Sequence, residues 1–184
     1  MRELSLHILD IVQNSIAAEA SRIRIMIQEE PAADRFWFEI QDNGCGMDEV
    51  TLASVTDPFF TTRTTRRVGL GIPMLKFTAM ACQGNVEIES EPGKGTRIKA
   101  SYQLSHIDRP PLGDMANTML TLILGSELID FVYCHRLGQR AFEFSTSEMR
   151  EILGDVPFSE PEVTSWLRGF LAEGESALYK EADS

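Results

Sequence analysis

The chain has 184 residues, of which 43% are hydrophobic and 24% charged, and its formal net charge is −11. That length and apolar content support a packed core and exclude disorder as the default. An acidic chain also lacks the positive field that a nucleic acid or an anionic membrane surface would need, so neither is an expected partner. The charge is uneven: residues 1–108 carry 11 basic against 15 acidic side chains, and residues 109–184 carry 6 against 13. An acidic second part would suit a basic protein partner. Cys45, Cys82 and Cys134 are an odd set without metal-ligand spacing, which fits a reducing compartment and a cytoplasmic location. Arg2 and Glu3 lead straight into an amphipathic pattern, so no signal peptide is expected. The most apolar run, residues 115–124, is far shorter than the ~20 residues that cross a bilayer.

The elements follow from periodicity. Residues 3–20 read as a helix, with Leu4, Ile8, Ile11, Val12, Ser15 and Ile16 on one face. Residues 22–28 alternate charged and apolar side chains and read as a half-buried strand. Residues 31–34 form a turn, and 36–40 a second strand that runs into Asp42-Asn43-Gly44-Cys45-Gly46. A short helix is expected at 47–54, then a polar, Thr- and Arg-rich loop at 57–68. A helix opens at Gly69-Leu70-Gly71 and runs to about residue 82, with Gly84 as its stop. Two strands, 85–90 and 96–104, flank Glu91-Pro92-Gly93-Lys94-Gly95. Pro110-Pro111 marks a boundary at 106–111, because proline has no N–H for a helix or a central strand. Beyond it come a helix at 113–125, a hairpin of 130–136 and 140–145, a short helix at 147–153 and a last helix at 161–173, with a frayed end from residue 176.

Four distant segments carry candidate chemistry. Asp10 and Asn14 are four apart on the first helix and share a face, where a carboxylate and an amide oxygen can hold a hydrated Mg²⁺ and an attacking water. Asp42, at a strand end among glycines, can accept a hydrogen bond from an exocyclic amine such as that of adenine. Gly69, Leu70 and Gly71 stand at a helix start, where backbone N–H groups favour phosphate, and Arg63, Arg66 and Arg67 lie just upstream. Gly93-Lys94-Gly95-Thr96 joins two strands, without the full P-loop spacing. Taken singly, the Asp10/Asn14 pair reads rather as a solvated helix edge, the arginines as a solvated loop and the glycine segments as plain turns.

Taken together and in this order, the segments resemble the GHKL superfamily of DNA gyrase, heat-shock chaperone, histidine kinase and MutL ATPases. Asn14 matches its Mg²⁺-binding asparagine, and Asp42, Gly44 and Gly46 its adenine-reading box. Gly69 and Gly71 match the second glycine box, and Gly93, Gly95 and Thr96 the third. Asp57-Pro58-Phe59-Phe60-Thr61-Thr62-Arg63 resembles the stretch before the ATP lid of sensor histidine kinases, and so does the run from Val86 to Thr96. The resemblance covers roughly residues 3–104. It implies an α+β two-layer sandwich, a mixed sheet covered by helices on one face, over residues 1–108. Residues 109–184 are then expected as a small α+β domain, a candidate for partner docking or homodimerisation.

The resemblance further implies ATP and Mg as cofactors. Asn14, Ala18, Asp42, Gly44, Gly46, Met47, Arg63, Arg66, Arg67, Gly69, Leu70, Gly71, Gly93, Gly95 and Thr96 would bind the nucleotide, with Asn14 on the metal. Asp10 is the candidate catalytic base, standing where hydrolysing members usually carry Glu and sensor kinases often Asn. A short lid, with Arg66-Arg67-Val68 directly before Gly69, would close over bound phosphate. A histidine kinase also needs a phosphoacceptor histidine on a separate dimerisation segment, and with the Asp10 helix at the start of this sequence none is expected. His7 reads as a packing or surface residue, His135 as a satisfied sheet residue and His106 as a linker residue. The expected function is therefore Mg-dependent ATP binding with slow hydrolysis or phosphotransfer in trans to a partner protein. The alternatives are a dedicated Ser/Thr or His protein kinase similar to anti-sigma-factor kinases, and a non-catalytic nucleotide-sensing module.

Overall fold

The computed structural model describes residues 3–55 and 71–180. Helix α1 (Leu4–Ala17) buries Leu4, Ile8, Ile11, Val12 and Ser15 on the face its spacing dictates. Strands β1 (Arg22–Glu30) and β2 (Arg35–Asp42) form an antiparallel pair joined by a short 3-10 turn at Pro31–Ala33. A six-residue helix, α2 (Glu49–Ser54), starts at Asp48, whose carboxylate accepts from Thr51 N at 2.8 Å. Helix α3 (Gly71–Ala81) and the hairpin β3 (Asn85–Glu91) and β4 (Gly95–Gln103) complete the first part. Then come α4 (Met115–Gly125), the hairpin β5 (Asp130–Leu137) and β6 (Arg140–Ser145), α5 (Thr146–Leu153) and α6 (Pro161–Tyr179).

The six strands make one mixed sheet in the order β3-β4-β2-β1-β5-β6. Period-2 patterning sends Ile23, Ile25, Ile27, Phe36, Phe38, Ile40, Ile98, Ala100, Tyr102, Phe131, Tyr133 and Phe144 to one face, and all are buried. Register reinforces this, since Ile25 lies opposite both Ile40 and Tyr133. The apolar faces of α1, α3, α4 and α6 join the same core through Ile8, Leu75, Met119, Leu167 and Leu171. Each such buried side chain stabilises the fold by roughly 1.5–3 kcal/mol. The opposite face of the sheet is polar: Arg97 bridges Glu39 and Glu89 at 2.7 and 3.0 Å, and Lys99 lies 4.3 Å over the Trp37 ring.

Residues 109–184 do not form a separate sheet. Strand β5 pairs in parallel with β1 along its whole length, from Arg22 opposite Asp130 to Glu29 opposite Leu137. The expected boundary is itself bound into the fold: Leu4 N donates to Pro111 O at 2.9 Å and Ser5 N to Leu112 O at 2.8 Å. Proline lacks a donor but keeps its carbonyl, and the first amides of a helix need acceptors. Glu3, the N-cap, makes no side-chain cap bond, so these carbonyls do that work.

Two further expectations are corrected. Gly84 does not supply the left-handed turn after α3; Gln83 does, at φ 56°. Gly84 is needed instead for close approach, because a Cβ there would overlap the Ser101 carbonyl. The last helix also runs past 173 to Tyr179, with Leu178 buried. Gly174 lies inside α6, where the Phe142 ring occupies the space a Cβ would take.

Candidate functional site

The site is built around the end of β2. Asp42 is only 8% exposed. Its Oδ1 accepts from Gly44 N at 2.9 Å and Thr96 N at 3.1 Å, and its Oδ2 from Ser15 Oγ at 2.6 Å. These donors come from three of the four segments singled out by sequence. The two backbone amides use both lone pairs of Oδ1, whereas Oδ2 keeps one acceptor position.

The surrounding backbone is laced together. Cys45 N donates to the Ala18 carbonyl at 2.9 Å, and Gly93 N to the Cys45 carbonyl at 2.8 Å. Met47 N donates to Ser90 Oγ at 2.8 Å, and that hydroxyl also reaches Gly95 O and Thr96 Oγ1 at 3.0 and 2.9 Å. Gly46 and Gly95 have φ of 68° and 95°, a conformation that L side chains rarely adopt. A Cβ on Gly46 would also strike the Glu91 carbonyl, and one on Gly95 the Asp42 carbonyl. Gly93 sits at the turn with open space around it.

Asp10 and Asn14 are half-buried on α1, successive turns of one helix face. The Asp10 carboxylate lies directly against Gly71 at the start of α3, where a Cβ would overlap it. The structure therefore brings together Asp10, Asn14, Ala18, Asp42, Gly44, Gly46, Met47, Gly71, Gly93, Gly95 and Thr96 at one end of the sheet. Arg63, Arg66, Arg67, Gly69 and Leu70, with the expected lid, lie outside the described residues.

Sequence reading missed Ser15 and Ser90, which hold Asp42 and the third glycine turn. Ser15 did carry a signal: a hydroxyl on an otherwise apolar helix face needs a buried partner. Asn43 is another such residue, its side chain accepting from Ser21 N and Arg22 N at 3.0 and 2.8 Å to pin the turn after β2. Among the described residues no group of three or more His, Cys, Asp or Glu stands ready to hold a metal, and no helix is long and apolar enough to cross a membrane.

The family profile described as histidine kinase-, DNA gyrase B- and HSP90-like ATPase matches residues 2–106, more than half of the chain. The chain belongs to this ATPase family. The histidine kinase-like part is similar to the sensor protein kinase FleS of Pseudomonas aeruginosa, 42% identical over 89 residues, 48% of this chain and 22% of that protein. It is also similar to the signal transduction histidine-protein kinase AtoS of Escherichia coli, 36% identical over 89 residues, 48% of this chain and 14% of that one. The chain thus spans under a quarter of either kinase. A crystal structure of the N-terminal domain of a DNA repair protein superposes with a TM-score of 0.53 at 15% identity, covering 79% of this chain and 52% of the other. At that identity the likeness is one of fold alone. It covers more of the ATPase chain than the family profile does, so it takes in part of residues 109–184.

Proposed function

We propose that this histidine kinase-like ATPase chain binds ATP with Mg²⁺ and either hydrolyses it slowly or passes its terminal phosphoryl group to a partner protein. One observation supports the reading above all: the Asp42 carboxylate is buried, oriented by three donors and left with one acceptor position on Oδ2. An exocyclic amino group such as that of adenine fits that position, and a carbonyl does not. Thr96 would assist through water, and Gly44, Gly46 and Met47 would lie along the base. Ala18 would close the same side through its backbone.

Asn14 would contribute one oxygen to Mg²⁺, the remaining ligands being phosphate and water oxygens, as a hard cation with few protein ligands requires. Gly69, Leu70 and Gly71 would meet the phosphates at the start of α3, with Arg63, Arg66 and Arg67 neutralising them. When bound, Mg-ATP supplies the phosphoryl group and metal charge. Asp10 would take the proton from water or from a substrate hydroxyl. Phosphotransfer to a Ser, Thr or His of a partner and hydrolysis use this same set of residues, so the acceptor decides between them.

The reading is tested by titrating the full chain with ATP and ADP in millimolar Mg²⁺. Saturable binding is expected, with Asp42→Asn weakening it at least about tenfold while melting stays cooperative. No binding, or full affinity in that variant, overturns it. Incubation with radiolabelled ATP and cell lysate then separates the two reactions, because a single labelled acceptor marks a kinase and free phosphate alone marks hydrolysis.

A further inference from the structure

At the opposite end of the sheet from Asp42, about 20 Å away along β1, a cavity of about 360 Å³ opens between the start of α4 and the end of α6. Leu112 and Met115 are among its apolar lining residues, and Asp114, Glu175, Ser176 and Tyr179 are its oxygen-bearing ones. No lysine, arginine or histidine is among its lining residues. Its volume lies at the lower end of the range for small-ligand sites.

The charge behind the wall decides what such a cavity would hold. His135 is fully buried on β5, with Nδ1 2.8 Å from Glu175 Oε2 and Nε2 3.2 Å from Glu29 Oε1. Ionised carboxylates only accept, so both ring nitrogens donate and the ring is an imidazolium. One positive charge thus stands between two negative ones. The Tyr133 hydroxyl donates to Glu175 Oε1 at 2.7 Å, and the Tyr179 hydroxyl donates to Glu29. Both phenols are neutral and leave the balance unchanged. The cation facing this cluster from the linker is Arg109, which lies 5.2 Å over the Phe36 ring and donates to the Leu104 and Pro110 carbonyls at 2.8 and 3.3 Å. Its hydrogen bonds therefore go to carbonyls, and no ion pair joins it to either glutamate. Each oxygen of Glu175 keeps a second lone pair, and Glu175 lines the cavity.

We propose that this cavity binds a small organic cation: a primary ammonium on a short alkyl chain. The ammonium takes the open acceptor positions of Glu175 with the help of Asp114 and the two hydroxyls, and the chain lies against Leu112 and Met115. An anion meets the carboxylates of Asp114 and Glu175 with no cationic side chain among the lining residues, and a neutral isostere makes no charge-assisted hydrogen bond to Glu175. A free amine and a lysine side chain of a partner present the same group.

Calorimetric titration of the full chain with n-butylammonium, without nucleotide, tests the proposal. One saturable site is expected, with n-butanol and butyrate at least about tenfold weaker. Ala172 is an exposed residue of the same wall, so Ala172→Leu fills the cavity without disturbing the core and is expected to abolish binding. Glu175→Gln is expected to weaken binding at least about tenfold; because Glu175 also anchors α6, Ala172→Leu is the deciding variant. Absence of saturable butylammonium binding, equal binding of the alcohol, or unchanged affinity in Ala172→Leu overturns the proposal. Tighter binding of 1,4-diaminobutane than of N-acetyl-lysine methylamide assigns the site to a free amine, and the reverse order assigns it to a partner's lysine. None of these readouts depends on the ATP site.

Discussion

Ser15 and Gly71 hold the two carboxylates of the candidate ATP site in place. Ser15→Ala removes one of three donors to Asp42 and is expected to destabilise the fold by about 1–2 kcal/mol, read from denaturant melts. Nucleotide affinity should fall with it, since Oδ2 loses its orienting partner. Gly71→Ala places a methyl group where the Asp10 carboxylate lies. If Asp10 is the base, turnover should fall at least about tenfold while ATP affinity changes less, a split that steady-state and binding measurements read separately. The meeting of Asp42 with Gly44 and Thr96 was legible in the sequence, because the motifs carry those residues. Ser15 was legible only as a hydroxyl on an apolar stripe, and its partner 27 residues away is fixed by the fold.

The elements tell the same story of local legibility. Strands with clean alternation, such as β1 and β2, appear within two residues of their expected ends, because period 2 and a one-sided core agree. The misread elements were those whose glycines and prolines serve tertiary contacts. The last helix is expected to end near 173, yet α6 continues through Gly174, where Phe142 packs into the gap, and Leu178 extends the buried stripe. Pro110-Pro111 reads as a boundary, yet its carbonyl caps α1. Neither contact leaves a trace in local sequence. Gly174→Ala tests the point: by helix propensity alone it should stabilise α6 by up to about 1 kcal/mol. Collision with the Phe142 ring is expected to reverse the sign and cost about 1–3 kcal/mol, seen as a lower melting temperature.

For the whole molecule, two buried histidines set opposing pH limits. His7 is 1% exposed, neither ring nitrogen has a partner, and burial lowers it from 6.5 to about 4. Its contribution is full above 6.5 and is lost as pH falls toward 4. For His135, burial alone would lower it, but the bonds to Glu175 and Glu29 outweigh that and raise it to about 9. Its contribution is full below 6.5 and is lost as pH rises through about 9. Stability should therefore peak near pH 6.5. His135→Gln should flatten the alkaline limb by about 3 kcal/mol and His7→Leu the acid limb by a similar amount; melts from pH 3.5 to 10 check both. Sequence reading left His7 as a packing or surface residue and His135 as a satisfied sheet residue; the charge each carries comes from its surroundings in the fold.

Strand β1 is zipped on both sides, by β2 and by β5. Cutting the chain in the exposed stretch at Ile107, 95% exposed, would leave each half with an open, apolar strand edge. Each piece made alone should aggregate. Made together, the two should find one another through that seam and rebuild the native sheet, so the protein should behave as a split pair that reports when its halves meet.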